Sequence, residues 1–525
     1  MLAFLSNPGS YPHMPESVQV VQTHISWVAL AGDLVYKIKK PVDFGFLDFV
    51  TLDRRRHFCQ REIELNRRLC PDIYLGVVPI VERPGKLHFA GAEEDESQAV
   101  DYAVKMKRLD HRHLLSSRLE KGHAGPADID RIVSRLVPFY KERRPGPDIA
   151  GAGRPDWVGQ VVLGNLDVCA EYVRECLSPA AYDALRHFAQ RFLDSRADLL
   201  NARAEGGCIR DCHGDLRPEH IYLGPEYVCI YDCIEFNDRF RFIDVASEIA
   251  FLAMELDHAG RTDLRRHIVD SMTDGLDDPG ITRLLEFYMS YRAAVRGKVN
   301  ALRAAEAKEE GADYRRYATA ARSYFQRALR YALFGVRPAA VAVMGRIGAG
   351  KSTLAAALCD ALGVDVLASD RIRKGLAAVP LFQRPSAAAR ERLYTTAVSR
   401  KTYTRLNDLA AKELTAGRSV IADATFGRLT YRKQLIDTAE RVGADCLFVE
   451  AFAPDEVIAG RLRNRDGGED VVSDARLEDF DRLARHYEPP NELTGRRLLR
   501  VDTTRSTAEI LQTIFAHLID RNLRD

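Results

Sequence analysis

Residues 345–352 read GRIGAGKS. They satisfy the pattern G-x-x-x-x-G-K-[ST] with Gly345, Gly350, Lys351 and Ser352 in register, and that pattern is a phosphate cradle. Ahead of it, Val341–Val343 is an apolar run suited to a buried strand. Behind it, Leu354, Leu358 and Leu362 fall at helical spacing before Gly363 stops the helix. Glycines let the backbone turn tightly, so the N–H groups from Gly348, Ala349 and Gly350 to Thr353 converge on phosphate oxygens at a positive helix end. Lys351 is placed to reach the β and γ phosphates and Ser352 to hold Mg²⁺. A chance glycine-rich turn would not need a strand before it and a helix after it.

Around this stretch there is room for more than one machine. The chain has 525 residues, 46% of them hydrophobic, enough for two to four cores of ordinary size. With 76 basic against 75 acidic residues there is no global field to attract nucleic acid or an anionic membrane, so any polyanion site must be local. The opening MLAFLSNPGSYPH lacks a basic leader and breaks its apolar run at Ser6, Asn7 and Pro8, and no run approaches a membrane span. The expectation is a cytoplasmic globular protein whose ten cysteines are reduced thiols. Cys208, Cys212, Cys229 and Cys233, with His213 among them, invite a zinc reading. It is declined, because Tyr227–Tyr231 has strand composition, where cysteine serves as a small core side chain.

Residues 20–106 read as strands with one helix, 107–335 as mostly helical, and 338–525 as alternating strand and helix. The charged helical stretch that begins near Ala301 ends at Gly335 and Pro338. The expected division is 1–106, a strand-rich lobe; 107–300, a helical lobe; 301–337, a helical linker; and 338–525, the domain of the cradle.

A second signature, HGDLRPEH, occupies residues 213–220. His213-Gly214-Asp215, then His220, two short strands and Asp232, reproduce the layout of a kinase catalytic loop. In that layout Asp215 meets the acceptor hydroxyl, and Asp232, at the end of the strand Tyr227–Tyr231, holds Mg²⁺. Upstream, Val28–Leu30 and Leu34–Lys39 flank a Gly32-Asp33 hairpin turn, which puts Lys37 on a strand. Phe58, Glu62, Leu65 and Leu69 recur at helical spacing, so Glu62 lies on an apolar face and needs a cation. Lys37 is the natural partner, with Lys39 and Lys40 as rivals and a structural arginine as the plainer alternative. Asp244 and Glu248 follow; Asp244 begins an apolar helix and reads as its cap or as a brace for the catalytic loop.

On Lys37, Glu62, the hinge-like Val104–Leu109, His213-Gly214-Asp215 and Asp232 with Glu235-Phe236, residues 20–300 resemble the aminoglycoside phosphotransferase branch of the protein-kinase-like fold. The resemblance implies two lobes with ATP between them, Lys37 and Glu62 on the nucleotide, Asp215 as catalytic carboxylate, and His220 and Asp232 at the metal. Two positions depart from the pattern. His220 stands where the family carries Asn, and imidazole is a poorer ligand for so hard a cation; residues 23–33 hold no glycine-rich phosphate loop.

In the last domain, Val364–Ala368 reads as a strand delivering Asp370 and Arg373, and Ser419–Ala422 as another ending in Asp423, a second metal or water ligand. Thr425 lies close behind, and Arg432 sits on the next helix. Arg461 and Arg465 lie one turn apart before a glycine-containing loop, 466–474, as in a lid whose guanidinium groups neutralise a phosphoryl group in transfer. The domain resembles small P-loop metabolite kinases of the gluconate, adenylylsulfate and polynucleotide 5′-hydroxyl kinase group, sometimes filed with AAA-like ATPases. The narrower resemblance is to the polynucleotide kinases, whose Asp-x-x-Arg after the second strand is matched by Asp370 and Arg373; it implies Asp370 as general base and Arg373 as a ligand of the acceptor's phosphate or of the transferred one.

The fold class expected is thus multidomain, α+β and α/β: a two-lobed protein-kinase-like domain followed by a P-loop domain with a mostly parallel sheet. The function expected is a bifunctional, ATP- and Mg²⁺-dependent phosphotransferase acting on small-molecule hydroxyls. Its alternatives are a nucleotide-dependent switch with a weak first half and a 5′-hydroxyl polynucleotide kinase in the second. Nucleic acid is disfavoured by the neutral charge and no membrane partner is expected; neither acceptor nor the oligomeric state is legible.

Overall fold

The computed structural model describes residues 1–524 apart from 46, 84, 92–95, 143–146, 384–385, 466–475 and 481–484. It divides into two compact units, Met1–Val158 with Arg196–Met289, and Gly159–Ser195 with Ser290–Asp525.

The first unit opens on an antiparallel sheet of β1 (Val18–Gln22), β2 (Ser26–Ala31), β3 (Leu34–Lys39), β4 (Tyr74–Arg83), β5 (Lys86–Phe89) and β6 (Ala99–Lys107), in the order β1-β2-β3-β6-β4-β5. The hairpin expected at Gly32-Asp33 is present: Ala31 faces Leu34, and Gly32 takes the left-handed backbone (φ 59°) that such turns require. Between β3 and β4 runs the helix Leu52–Asn66, capped by Thr51, whose hydroxyl accepts from the Arg54 N–H at 3.3 Å. Its buried positions include Cys59, Glu62, Ile63 and Leu65, which turns Glu62 toward the sheet.

Beyond the sheet the unit is helical, with two small two-stranded sheets. β7 (Ile209–Asp211) pairs with β10 (Phe242–Asp244), and β8 (Ile221–Leu223) with β9 (Val228–Ile230), each antiparallel. The loop 212–220 joins β7 to β8 and the loop 231–241 joins β9 to β10, so the two pairings draw the carboxylates of both loops together. Cys70 and Cys229, 159 residues apart, form a disulfide across this unit with Cα atoms 4.7 Å apart. That corrects the expectation of thiols throughout: two buried side chains on packed elements meet, a proximity that spacing alone does not encode. It also takes Cys229 out of any metal set, and no cluster of three or more ligating side chains occurs among the described residues.

The second unit holds a parallel sheet of β11 (Ala339–Met344), β12 (Val366–Ala368), β13 (Val420–Asp423), β14 (Asp445–Phe452) and β15 (Leu498–Asp502), in the order β12-β13-β11-β14-β15. All six residues of β11 are buried, as a central parallel strand covered on both faces demands. The helix Lys351–Leu362 follows directly and stops at Gly363 (φ 59°), where the sequence reading ended it. One face of the sheet is filled by Tyr403, Leu406, Phe426, Leu435 and Phe448.

The helix Thr507–Asn522 packs on Pro179–Ser195 and Arg315–Phe334, with a hydrogen bond from the Gln512 amide to Asp183 at 2.8 Å. Residues 159–195, read from sequence within the first domain, therefore group here. The stretch read as a linker is also packed: Gln326 donates to the Asp360 carbonyl at 2.8 Å, and Arg330 to that of Leu362. The fold class is the one expected. Among the described residues no helix is long and apolar enough to cross a membrane.

Candidate functional sites

Side chains two apart on a strand share a face, and Lys37 and Lys39 both turn from β3 toward the helix Leu52–Asn66. Lys37 Nζ lies 2.9 Å from Glu62 Oε1 and 2.6 Å from Asp232 Oδ1. Lys39 Nζ lies 2.7 Å from Glu62 Oε2 and also contacts Glu235 Oε1. Glu62 is thus clamped by two lysines, while Lys40 goes elsewhere, its ammonium 5.7 Å from the Trp27 ring centre.

Asp232 follows β9 with a left-handed backbone, φ 63°, uncommon outside glycine but tolerated by Asp. Its N–H donates to the Tyr74 hydroxyl at 3.2 Å, and the next N–H, of Cys233, donates to Asn66 Oδ1 at 2.8 Å. These bonds tie the loop to β4 and to the helix that presents Glu62.

His220 stands between the two aspartates expected to do the chemistry. Its Nδ1 is 2.9 Å from the Asp215 carbonyl and 3.4 Å from Asp215 Oδ2; its Nε2 is 3.3 Å from Asp232 Oδ2 and 3.2 Å from an Arg217 nitrogen. Both ring nitrogens of this expected metal ligand are therefore engaged within the protein. Arg217 Nε lies 2.8 Å from Asp215 Oδ1. The loop is braced from beneath by Glu248, which accepts from the N–H groups of His213 at 2.7 Å and Gly214 at 3.1 Å. Asp244 caps its helix through the Ala246 N–H at 2.8 Å, the capping role read from sequence, and binds Arg203 through both oxygens at 2.6 and 2.7 Å.

The electrostatics follow from this geometry. Burial alone would raise Asp232, but Lys37 and then His220 hold it well below the usual carboxylate range. Glu62 is likewise lowered: burial opposes ionisation, and Lys37 and Lys39 outweigh it. Lys37 and Lys39 are raised despite burial, Lys37 chiefly by Asp232 and Glu62, Lys39 by Glu235 and Glu62. Burial pushes His213 down to about 3, and its Nε2 meets the Tyr231 carbonyl at 2.9 Å.

In the second unit the cradle opens on a cavity of about 850 Å³ at the carboxyl edge of the sheet, where β11, β12 and β13 deliver their loops. Gly348, Gly350, Lys351, Ser352, Asp370, Arg373 and Asp423 line it, with Tyr394, Tyr403, Tyr431 and Tyr487 among the walls. Lys351 donates to the Arg346 carbonyl at 2.9 Å, folded back over its own loop. Gly345 does not line the cavity; its φ of 137° and a Cβ position 2.3 Å from the Ala451 oxygen make it the residue on which the turn is built. Ala349 and Thr353 also stand outside the lining.

Arg373 Nη1 lies 2.7 Å from Asp370 Oδ1, its guanidinium 4.4 Å from the Tyr394 ring centre, and the Tyr394 hydroxyl donates to the same carboxylate at 3.4 Å. Asp423 is the last residue of β13 and is buried. Arg432 is held by Glu492 and by the Phe426 and Glu488 carbonyls at 2.8 and 3.1 Å, a brace rather than a cavity residue. Arg461 bonds to the Thr503 hydroxyl at 2.9 Å and carbonyl at 2.6 Å, and that hydroxyl donates to the Ala349 carbonyl at 2.8 Å. It buttresses the back of the cradle and does not line the cavity. Arg465 ends the helix Asp455–Arg465; its side chain and the expected lid, 466–474, lie outside the described residues.

Lys39 and Arg217 carry more of the first site than the sequence reading assigned them. The period-two position of Lys39 and the place of Arg217 inside HGDLRPEH were the available signals. The four tyrosines around the cavity follow no motif.

A family model described as an AAA domain matches residues 341–490. Proteins of Mycobacterium bovis and Mycobacterium tuberculosis, each described as uncharacterised, are 31% identical over 473 residues, covering 89% of this chain and 89% of theirs. Among solved structures, a gluconokinase from Sinorhizobium meliloti aligns with 36% of this chain and 95% of its own at 21% identity and a TM-score of 0.26. A choline/ethanolamine kinase family protein from Mesorhizobium loti aligns with 62% and 93% at 11% identity and a TM-score of 0.37.

Proposed function

We propose, for a chain that belongs to one family with these mycobacterial proteins and carries an AAA domain with a phosphate cradle, that it is a bifunctional ATP-dependent phosphotransferase. Each half moves the γ-phosphoryl group of ATP to a hydroxyl of a small-molecule acceptor. The observation that carries the reading is the convergence, in the first unit, of Lys37, Glu62 and Asp232 with Asp215, which His220 links to Asp232.

In that unit Lys37, oriented by Glu62, binds phosphate oxygens, and Asp215 accepts the proton of the attacking hydroxyl. The new bond forms between that oxygen and the γ-phosphorus, the bond to the β–γ bridging oxygen breaks, and ADP leaves. In the second unit Lys351 and the cradle N–H groups bind the phosphates, Asp370 takes the proton, and Arg373 orients it. The available donors are oxygens suited to a hard cation, and Mg²⁺ typically takes one or two carboxylates plus substrate phosphates. Asp232 would hold it in one unit, Ser352 and Asp423 in the other, where it would offset phosphate charge.

A second reading, a nucleotide-dependent switch whose first half binds without catalysing, is favoured by one observation: Arg217 already neutralises Asp215 at 2.8 Å, which weakens it as a base. Labelled ATP, screened against sugars, nucleosides and 5′-hydroxyl oligonucleotides with Asp215→Ala and Asp370→Ala, separates the two. The double kinase predicts two products, each lost by about 10²- to 10⁴-fold in one variant. Turnover indifferent to Asp215 transfers the first half to the switch, and no acceptor-dependent product with either half ends the proposal.

A further inference from the structure

The first unit contains a second lysine that a phosphate-binding site does not require, and it is the more deeply buried of the two. Lys39 has a side chain 1% exposed against 14% for Lys37. Its ammonium is enclosed by Glu62 Oε2 at 2.7 Å, Glu235 Oε1, and the face of the buried Phe49, 4.9 Å from the ring centre. A cation so enclosed has no route to a ligand. A buried ammonium is retained only where carboxylates hold it, and removing one partner strands the other.

The pairings form a chain: Asp232, Lys37, Glu62, Lys39, Glu235. Its two ends are three residues apart on one loop, so the chain closes on itself through the backbone. Lys37 has competing obligations in it, since the Nζ that would face phosphate is now 2.6 Å from Asp232. Were nucleotide and metal to draw Lys37 and Asp232 apart, the link between them would be lost. The link through Lys39 remains.

Resting on the reading of this unit as a nucleotide site, we propose that Lys39 is a positioning residue. Through Glu235 it fixes the metal-binding loop to Glu62, so that Asp232 keeps its place once Lys37 has turned to phosphate. Lys39 touches neither nucleotide nor acceptor. It acts on Asp232 from the far side of the loop, as outer partners fix the ligands of a metal.

The test is calorimetric binding of a non-hydrolysable ATP analogue, with and without Mg²⁺, to the full chain carrying Lys351→Ala to silence the cradle. Against that parent, Glu235→Gln and Lys39→Met should each raise the Mg²⁺ concentration for half-maximal binding by about 10- to 100-fold while moving the metal-free affinity much less. Lys39→Arg should restore the parent value, and Lys39→Met with Glu235→Gln should be milder than Lys39→Met alone, because Glu235 is then no longer a stranded carboxylate. Glu235→Gln is near-isosteric and reports even if Lys39→Met fails to fold. A folded Glu235→Gln protein with the parent's Mg²⁺ dependence overturns the inference, as does an equal loss with and without Mg²⁺. A parent that binds no analogue overturns the nucleotide-site reading itself, a different result.

Discussion

His213 turns its burial into a pH limit. Burial holds its imidazole at about 3, whereas in an unfolded chain histidine titrates near 6.5. Between those values the unfolded state takes up a proton that the native state refuses, so its contribution to stability is complete above about pH 6.5 and declines as pH falls toward 3. Urea unfolding at pH 7.5 and 5.5 should show a decline of about 1 kcal/mol that His213→Gln lacks, at one pKa unit per 1.4 kcal/mol. A His213 ring signal that titrates near 6.5 in the native protein would remove the basis for this. Gly345 offers a backbone test at the same scale. A methyl group there would sit 2.3 Å from the Ala451 oxygen at a φ of 137°, so Gly345→Ala should destabilise by about 1–3 kcal/mol and abolish analogue binding to the cradle. Retained binding with an unchanged melting temperature would show that the turn can be rebuilt without glycine.

At the scale of elements, the Cys70–Cys229 disulfide joins the turn after the Glu62 helix to the strand that delivers Asp232. Closing so long a loop should contribute about 2–5 kcal/mol. Peptide mapping without reductant should recover the linked pair, and reductant should lower the unfolding midpoint of the parent but not of a Cys70→Ser, Cys229→Ser protein. Equal response of the two would mean that the bond is absent in solution. Local periodicities carried most of what could be read at this scale. The two-residue repeat of β3 and the helical repeat through Glu62 brought Lys37 and Glu62 face to face, and the strand-cradle-helix order around Gly345 emerged intact. What stayed hidden has partners remote in sequence. Arg461 could be assigned to a helix, but the Thr503 that captures it lies 42 residues on. Cys70 was unremarkable until β9 was laid against it. Residues 159–195 show helical repeats, yet a repeat identifies an apolar face without identifying which core receives it.

For the molecule as a whole, the two proposed nucleotide sites make a countable prediction. Calorimetry with Mg²⁺ and a non-hydrolysable ATP analogue should give a stoichiometry of two in the parent, one in Lys351→Ala and one in Lys37→Met, with at least a tenfold affinity loss at each altered site. A stoichiometry of one in the parent, abolished by Lys351→Ala, would leave the first unit without nucleotide.

The connectivity of the units bears on how the protein is made. The helix Pro179–Ser195 leaves the ribosome well before the helices it packs on, Arg315–Phe334 and then Thr507–Asn522, the last of which starts about 300 residues further along the chain. At ordinary translation speeds that interval is on the order of tens of seconds. Throughout it a stretch whose Leu185, Phe188 and Phe192 will be buried stays uncovered on a nascent chain. A stalled or truncated message would leave those side chains permanently unmatched, a ready target for chaperones and quality-control proteases.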